Sequence, residues 1–394
     1  MLALAVAMGI GRFAFTPLLP MMLADSVIDL AAASWLASAN YLGYLVGALL
    51  CTFQPWIWQK LGRSTAVRNT VLVRIGLAAT VGLTLGMSLH LPAAWPLLRF
   101  AAGVASALVF VYVSGWCLGT LARMGLPAMG AVIYTGPGAG IVLSGLAASG
   151  MVALHWQAAA GWLVFGVLAA ILTAVLWPTV SPRHELPAAA PAAAAQAGQG
   201  AGPGHGGMEI ALLSLAYGLA GFGYIITATF LPVIARQALP GSHWLDLFWP
   251  IFGLGVIAGA LIASRIRTRL DLRWLLAICY VVQAVGVASS LVSPSLAGFA
   301  AGSLLLGLPF TAITFFAMQE ARRLRPLGAS SLMGGLTALY GLGQIVGPPL
   351  ATGLLHRNPA QGFGLSLEIA AGSLVLGALL YAAMTRLYPV QQPG

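Results

Sequence analysis

Charged residues are scarce in this chain of 394 residues. Asp, Glu, Lys and Arg together make up only 7% of it, whereas 60% of its residues are hydrophobic. Soluble domains carry about 25% charged residues. Mean hydropathy is +0.94, and a soluble core of this length could not enclose so much apolar surface. Lipid must therefore be the solvent for much of the chain, and the bilayer is its first predicted partner.

Cysteine is also rare, which excludes several kinds of site. Cys51, Cys117 and Cys279 lie far apart, each inside an apolar segment. They have neither metal-ligand spacing nor the even number of a disulfide framework, so we interpret them as small buried hydrophobic residues. The six histidines fall in loops and pair with no serine or cysteine motif. We therefore expect no enzymatic activity, no metal and no cofactor.

Acidic residues are outnumbered, with eight Asp and Glu against 18 Lys and Arg. The basic residues lie in short loops between apolar segments, a topological pattern rather than a nucleic-acid-binding patch. The positive-inside rule makes the loops on the basic side cytoplasmic, together with both termini, and predicts a multi-pass protein of the inner (cytoplasmic) membrane. That side carries Lys60, Arg63, Arg68, Arg74, Arg123, Arg183, Arg265, Arg267, Arg269, Arg273, Arg322, Arg323, Arg325 and Arg386, and the other side only Arg236 and Arg357.

Twelve apolar segments are long enough to cross a bilayer, which predicts an all-α polytopic membrane protein with twelve transmembrane helices. The first has no basic region before it and is followed by prolines, so we expect a membrane helix rather than a cleaved signal peptide. The predicted spans are 2–23, 32–54, 69–89, 94–118, 128–151, 158–178, 209–234, 245–264, 273–292, 296–318, 328–354 and 364–386.

The chain divides into two similar halves. Residues 179–207 are rich in Ala, Pro and Gly and predict a flexible cytoplasmic linker between bundles of six helices at 1–178 and 208–394. Three motifs recur in corresponding spans of the two halves, and duplicated halves with a site at their interface are a transporter architecture. The pairs are Gly9-x-Gly11 to Pro20 with Gly221-x-Gly223 to Pro232, Phe100–Gly103 with Phe299–Gly302, and Gly136-Pro137 with Gly347-Pro348.

Several motifs resemble those of the major facilitator superfamily (MFS). Residues 59–63 (QKLGR) are similar to its basic loop motif without the usual acidic residue. Arg99-x-x-x-Gly103-x-x-x-Ala107 is similar to its span-four arginine motif, which is linked to proton coupling, and residues 136–140 to its antiporter Gly-Pro motif. GIGRFAFTPLLPMM at 9–22, NYLGYLVGAL at 40–49, RFAAGVASALVFV at 99–111 and GQIVGPPLATGLL at 343–355 resemble the YbfB-like branch. The resemblance implies two pseudo-symmetric bundles, transport, and a central cavity lined by spans one, four, seven and ten.

Arg12 is the first candidate site residue, because it interrupts an apolar run about as long as a bilayer is thick. A cation at that depth costs roughly 2.5–3.5 kcal/mol or more, so it normally faces a polar cavity or a partner. Arg99 in span four is expected to face the same cavity, and Thr16 lies one helical turn from Arg12. The alternatives are a structural arginine that binds helix carbonyls and, for Arg99, a side chain that extends to the outer interface.

The equivalent position in the second half is Tyr224, which predicts an asymmetric site with Thr227 nearby. Further predicted substrate-binding groups are Asn40, Tyr44, Tyr134, Tyr340 and Gln344, although each such residue alone is more often a packing hydrogen bond. Predicted coupling or gating residues are Arg99, Gly136, Pro137, Gly347, Pro348 and Glu368, the last being the only carboxylate more than two residues inside a predicted span.

Two fixed positive charges without a carboxylate at their depth favour an anion as the missing partner. The sequence therefore predicts a secondary active transporter, functional as a monomer, that carries a small organic anion with an apolar portion by alternating access. Proton symport, proton antiport and exchange are all left open. One alternative is proton-linked efflux of hydrophobic or cationic compounds, which the Gly-Pro motif supports. Another is a transport-inactive sensor or scaffold, for which the sequence shows no second globular segment.

Overall fold

The computed structural model describes residues 1–60, 69–124, 127–180, 206–242, 244–266, 271–325 and 329–389. All regular elements in these ranges are helical. Eleven helical segments there are long and apolar enough to cross a membrane, by length and composition. The remaining predicted span, 328–354, is also a single helix, Ala329–Arg357. The all-α polytopic class is confirmed.

Within its described residues, the first half contains seven α-helices, because its first span is divided. They are α1 (Leu2–Leu4), α2 (Phe15–Ala24), α3 (Leu30–Lys60), α4 (Asn69–Gly86), α5 (Trp95–Arg123), α6 (Thr135–Ala153) and α7 (Ala158–Leu176). A π-helix, Ala5–Ile10, follows α1, and a 3₁₀ segment, Pro127–Tyr134, precedes α6. The predicted first and fifth spans are therefore not continuous α-helices.

The described part of the second half contains seven more α-helices. They are α8 (Gly207–Ala238), α9 (Phe248–Arg265), α10 (Leu272–Val292), α11 (Leu296–Gly307), α12 (Phe310–Leu324), α13 (Ala329–Arg357) and α14 (Gly362–Leu387). The predicted tenth span is divided between α11 and α12 at Leu308–Pro309. Proline has no backbone N–H and its ring clashes with the preceding turn, which explains the break.

Glycine contacts recur between corresponding helices of the two halves. In the first half, Gly43 of α3 meets the backbone of α5 at Phe100. In the second half, Gly307 at the end of α11 meets the backbone of α9 at Phe252. Helices without a side chain at the contact can approach backbone to backbone, which is the usual packing of small residues in membranes. The duplication inferred from the sequence thus has a counterpart in the packing.

Basic residues gather at one end of the helices, which we call the basic end (Lys60, Arg265, Arg322, Arg323 and Arg386). The other end, where α2 and α8 finish, is called the opposite end. Most of the predicted linker (residues 181–205) and part of the basic loop motif (61–63) lie outside the described residues. The domain boundaries therefore stay predictions.

A buried ion-pair network holds the basic end of the second half together. Arg273 is 0% exposed and lies 3.1 Å from Glu209 Oε1 and 2.6 Å from Asp271 Oδ2. It also donates to the Met384 and Tyr388 carbonyls, so it connects α8, α10 and α14. Burial alone would raise the pKa of Asp271, but hydrogen bonds from the Arg273 side chain and backbone lower it below its usual value.

Candidate functional site

The first span changes its helix type just before Arg12. The Gly11 and Phe13 N–H groups bond to the carbonyls of Val6 and Met8, five residues back, as in a π-helix. Residues 11–14 form turns, and α2 begins at Phe15. Such wide turns interrupt the regular ladder of backbone hydrogen bonds and often occur at functional sites. Arg12 therefore extends from an irregular segment inside the membrane span.

Arg99 holds this irregular segment in place. Its Nη1 donates to the Gly11 carbonyl at 3.2 Å and its Nη2 to the Arg12 carbonyl at 3.0 Å. The side chain is 2% exposed, and the Arg99 carbonyl accepts a 2.8 Å bond from Asn40 Nδ2. A planar guanidinium suits two parallel acceptors of this kind. Asn40 thus binds the backbone of Arg99, and the Arg99 side chain binds the backbone that carries Arg12. These contacts orient the Arg12 side chain.

The Arg12 guanidinium lies between the two halves of the chain. It is 4% exposed, and its Nη2 donates to Gln344 Oε1 of α13 at 2.8 Å. Its Cζ lies 4.0 Å from the centre of the Tyr44 ring and 5.4 Å from that of Tyr41. The contacts are a neutral amide and aromatic faces, and cation–π contacts of this kind stabilise a desolvated cation by about 2 kcal/mol.

The ion pairs described elsewhere in the chain do not reach this position. They join Arg236 to Asp246, and Arg273 and Arg323 to the carboxylates of the basic end. Within the ranges that the structure describes, none includes Arg12 or Arg99. The positive charge of Arg12 is thus balanced there by dipoles and ring faces rather than by a carboxylate.

Gln344 continues the contact into the second half. Its Nε2 donates to the Tyr224 hydroxyl, and both residues are almost fully buried. Arg12 of the first span, Gln344 of α13 and Tyr224 of α8, all three predicted from the sequence, are therefore connected by hydrogen bonds. Thr227, on the next turn of α8, has a buried hydroxyl with no hydrogen-bond partner among the described residues.

Partly buried aromatic rings extend from Arg12 toward the basic end, and we call them the aromatic cluster (Tyr44, Phe110, Tyr134, Phe310 and Tyr340). Tyr44 and Phe110 have ring centres 6.3 Å apart, and Phe110 and Tyr134 are 5.8 Å apart. On the other side, Tyr224 contacts Tyr340 at 5.8 Å and Phe310 at 5.0 Å. The two phenylalanines were missed because a single Phe in an apolar helix has no distinguishing pattern.

Hydrogen bonds between the halves close the other side of Arg12, and we call them the seal (Thr16 to Ala228, Ser38 to Ile345, Tyr41 to Thr229, and Ser34 to Thr352). Tyr41 and Thr229 hydroxyls are 2.9 Å apart, and those of Ser34 and Thr352 are 3.1 Å apart. Tyr41, Thr229 and Ser34 are at most 5% exposed. Arg12 therefore lies between the aromatic cluster and the seal.

Two bonds of the seal use carbonyls that prolines have freed. Thr16 Oγ1 donates to the Ala228 carbonyl at 3.0 Å, and Pro232 lies four residues beyond Ala228. A proline has no N–H with which to bind the carbonyl four residues before it. Thr16, predicted to bind substrate, therefore contacts the other half.

The second such bond has the same arrangement. Ser38 Oγ donates to the Ile345 carbonyl at 2.9 Å, and Pro349 follows that residue by four positions. Ser38 was missed in the sequence. Only its acceptor could have been indicated there, because Ile345 lies four residues before Pro349. Both prolines thus leave a carbonyl available to the first half.

Apart from Arg99, the predicted coupling or gating residues take no part in the described side-chain hydrogen bonds that join Arg12, Gln344 and Tyr224. Gly136 and Pro137 stand in the first turn of α6, where the 3₁₀ segment ends, rather than inside a bent helix. Gly347 packs against the Ile225 side chain, and Pro348 lies inside α13. Glu368 is exposed near the start of α14. Their coupling roles stay predictions.

Comparisons with known proteins identify the family. The family described as "Uncharacterised MFS-type transporter YbfB" matches residues 4–382. No curated protein matches the chain.

Among solved structures, a variant of the nucleoside transporter NupG aligns with a TM-score of 0.72 and 16% identity, over 97% of this chain and 98% of that one. An inward-facing, unoccupied bacterial homologue of the human lysosomal transporter Spinster aligns with a TM-score of 0.67 and 13% identity, over 100% and 98%. A second NupG structure gives 0.61 and 15%, over 99% and 100%. These likenesses establish the fold, and the match over nearly the whole sequence shows that the chain belongs to the YbfB family of MFS-type transporters.

Proposed function

We propose that the protein is a secondary active transporter of the bacterial inner membrane that binds a small organic anion on Arg12. The carrying observation is a guanidinium that is 4% exposed between the two halves and whose hydrogen-bond acceptor is a neutral amide. A desolvated charge without a counter-charge is costly, so an anionic ligand would be stabilised by supplying the counter-charge that Arg12 lacks. The planar guanidinium suits a carboxylate.

The same charge disfavours the alternative of cation efflux. A second positive charge brought beside Arg12 would be repelled, and the repulsion is strong where water is excluded. The carboxylates that the structure describes lie at or near the ends of the helices, and those that form ion pairs do so with Arg236, Arg273 and Arg323. We therefore favour an anion over a lipophilic cation.

The aromatic cluster supports an apolar, preferably aromatic, portion in the substrate. Rings of both halves lie next to the guanidinium, with Tyr44 at 4.0 Å from Arg12 and Tyr340 stacked on Tyr224. Aromatic groups favour offset or edge-to-face contact, which adds about 0.5–1.5 kcal/mol per pair beyond the area buried. A carboxylate on Arg12 with a ring among these side chains satisfies both features.

The distribution of basic residues supports an orientation for the site. By the positive-inside rule we place the basic end in the cytoplasm, so in this proposal the aromatic cluster lies on the cytoplasmic side of Arg12 and the seal on the periplasmic side. Alternating access then requires the seal to break while the two halves close around the aromatic cluster, rocking about Arg12. Arg99 acts in this scheme as a positioning residue, because it binds the backbone that carries Arg12. We expect the monomer to be the functional unit.

Ligand-induced thermal stabilisation tests the proposal, because a ligand that binds the folded state raises the apparent stability. Purified protein is titrated with benzoate, with its neutral counterpart benzamide, and with uridine as a nucleoside. We expect saturable stabilisation by benzoate alone, lost in Arg12→Gln and retained in Arg357→Gln, whose arginine is exposed at the opposite end. Stabilisation by uridine or benzamide in both variants would instead show a site that does not depend on the Arg12 charge.

A further inference from the structure

We propose that Gln344 occupies the substrate's place on Arg12 in the unloaded transporter, and that an anion binds by displacing it. The inference rests on the proposed anion site. It assigns to Gln344 the role of a specificity-determining residue that sets which ligands can compete for the guanidinium.

The geometry of the contact matches that of the expected ligand. Gln344 Oε1 lies 2.8 Å from Arg12 Nη2, within the range of about 2.7–2.9 Å for a carboxylate oxygen on a guanidinium. Arg12 Nε has no hydrogen-bond partner among the described residues. The amide thus supplies one neutral acceptor where a carboxylate supplies two charged ones, so displacement replaces a single bond to a neutral acceptor with a bidentate ion pair.

Gln344 can leave without losing all its contacts. Its Nε2 donates to the Tyr224 hydroxyl, a bond that does not involve Arg12. The backbone beside it is also less constrained, because Pro348 stands four residues later in α13 and cannot donate to the Gln344 carbonyl. The amide therefore has a second partner and a locally weakened helix.

Competition of this kind produces selectivity. A carboxylate adds a counter-charge and a second acceptor oxygen to the guanidinium, so it outcompetes the amide, whereas a neutral carbonyl ligand gains nothing by replacing it. Displacement also removes the described polar link between Arg12 and α13. Only an anion then separates the two halves at this point, which couples occupancy of the site to their movement.

The test compares binding of benzoate and benzamide to Gln344→Ala and Gln344→Glu. Removing the competitor should tighten benzoate binding about fivefold, the factor that corresponds to one typical net hydrogen bond of about 1 kcal/mol. Gln344→Ala should also begin to bind benzamide. Gln344→Glu should bind benzoate at least tenfold more weakly, because a permanent carboxylate then holds Arg12.

The control is Gln283→Ala, which removes another buried amide of the second half, one that donates to the Leu306 carbonyl. It should leave the benzoate affinity unchanged. If Gln344→Ala binds benzoate as well as or more weakly than the wild type, or if Gln344→Glu keeps wild-type affinity, Gln344 only packs the interface and the inference is wrong. Loss of the anion site itself is a separate result: the wild type then shows no saturable benzoate binding, or Arg12→Gln retains it.

Discussion

The seal offers a prediction that follows directly from the prolines. Thr16→Val keeps the size of the side chain but removes the hydroxyl that donates to the Ala228 carbonyl. Pro232 cannot supply a replacement N–H, so in the closed state the carbonyl of Ala228, a residue that is 2% exposed, loses its described partner. We expect the variant to spend more time open on the periplasmic side.

The magnitude follows from hydrogen bonds in membranes, which average about 0.6 kcal/mol and reach about 1.7 kcal/mol. An unsatisfied buried acceptor adds to the loss. A shift of about 1 kcal/mol changes the ratio of closed to open molecules roughly fivefold. Because the seal contains other bonds, we expect a change of population rather than a loss of the closed state.

The assay measures the distance between spin labels at positions 24 and 238, at the ends of α2 and α8. Both alanines are exposed at the opposite end, and the three native cysteines are first replaced. Thr16→Val should increase the long-distance population. Thr84→Val is the matched control, because its hydroxyl bonds to Thr80 within α4, and it should leave the distances unchanged.

A double-mutant cycle makes the test decisive. Pro232→Ala restores an N–H that can bind the Ala228 carbonyl within α8, so that carbonyl keeps a partner when the Thr16 hydroxyl is removed. In that background Thr16→Val should shift the population less than it does in the wild type, by a difference larger than about 0.3–0.5 kcal/mol, the limit within which uncoupled mutations add. An equal shift in both backgrounds would refute the idea that proline-freed carbonyls hold the seal.

Two further predictions concern charged residues. Arg99→Lys should lower both the melting temperature and the benzoate affinity, because an ammonium cannot reproduce the planar pair of bonds to the Gly11 and Arg12 carbonyls; thermal unfolding with and without benzoate checks this. The pKa of Asp271 is lower in the folded than in the unfolded protein, so its ionised form stabilises the fold at pH values above the unfolded pKa of about 3.9. This stabilisation is lost as the pH falls through the lower pKa of the folded state. Asp271→Asn should reduce this acid dependence in melting curves recorded from pH 6 to pH 3, and an unchanged slope would contradict it.

Much of the architecture was predictable because it depends on composition. The apolar segments, the repeated motifs and the distribution of basic residues suffice for an all-α membrane protein of duplicated halves. The breaks were not predictable in the same way. The turn around Arg12 is held by Arg99, 87 residues away, and no local pattern indicates such a contact.

The site was partly predictable for a related reason. Arg12 and Tyr224 stand out because charge is rare in a span and because the halves align. Their connection through Gln344 depends on how α13 packs against α3 and α8, which sequence spacing does not give. Ser38 and Thr16 show a rule that sequence reasoning did not use: a proline inside a membrane helix frees the carbonyl four residues earlier for a partner in another helix.

Transport by reconstituted protein tests the central claim most directly. Vesicles loaded with unlabelled benzoate are diluted into a trace of labelled benzoate, and exchange is followed for the wild type, Arg12→Gln and Arg357→Gln. The Arg12 anion site predicts rapid exchange by the wild type and by Arg357→Gln, and a loss of at least a hundredfold in Arg12→Gln, the loss of a charge-assisted pair of about 3 kcal/mol. Exchange at the wild-type rate by a folded Arg12→Gln protein would show that this buried guanidinium is structural and that the anion binds elsewhere.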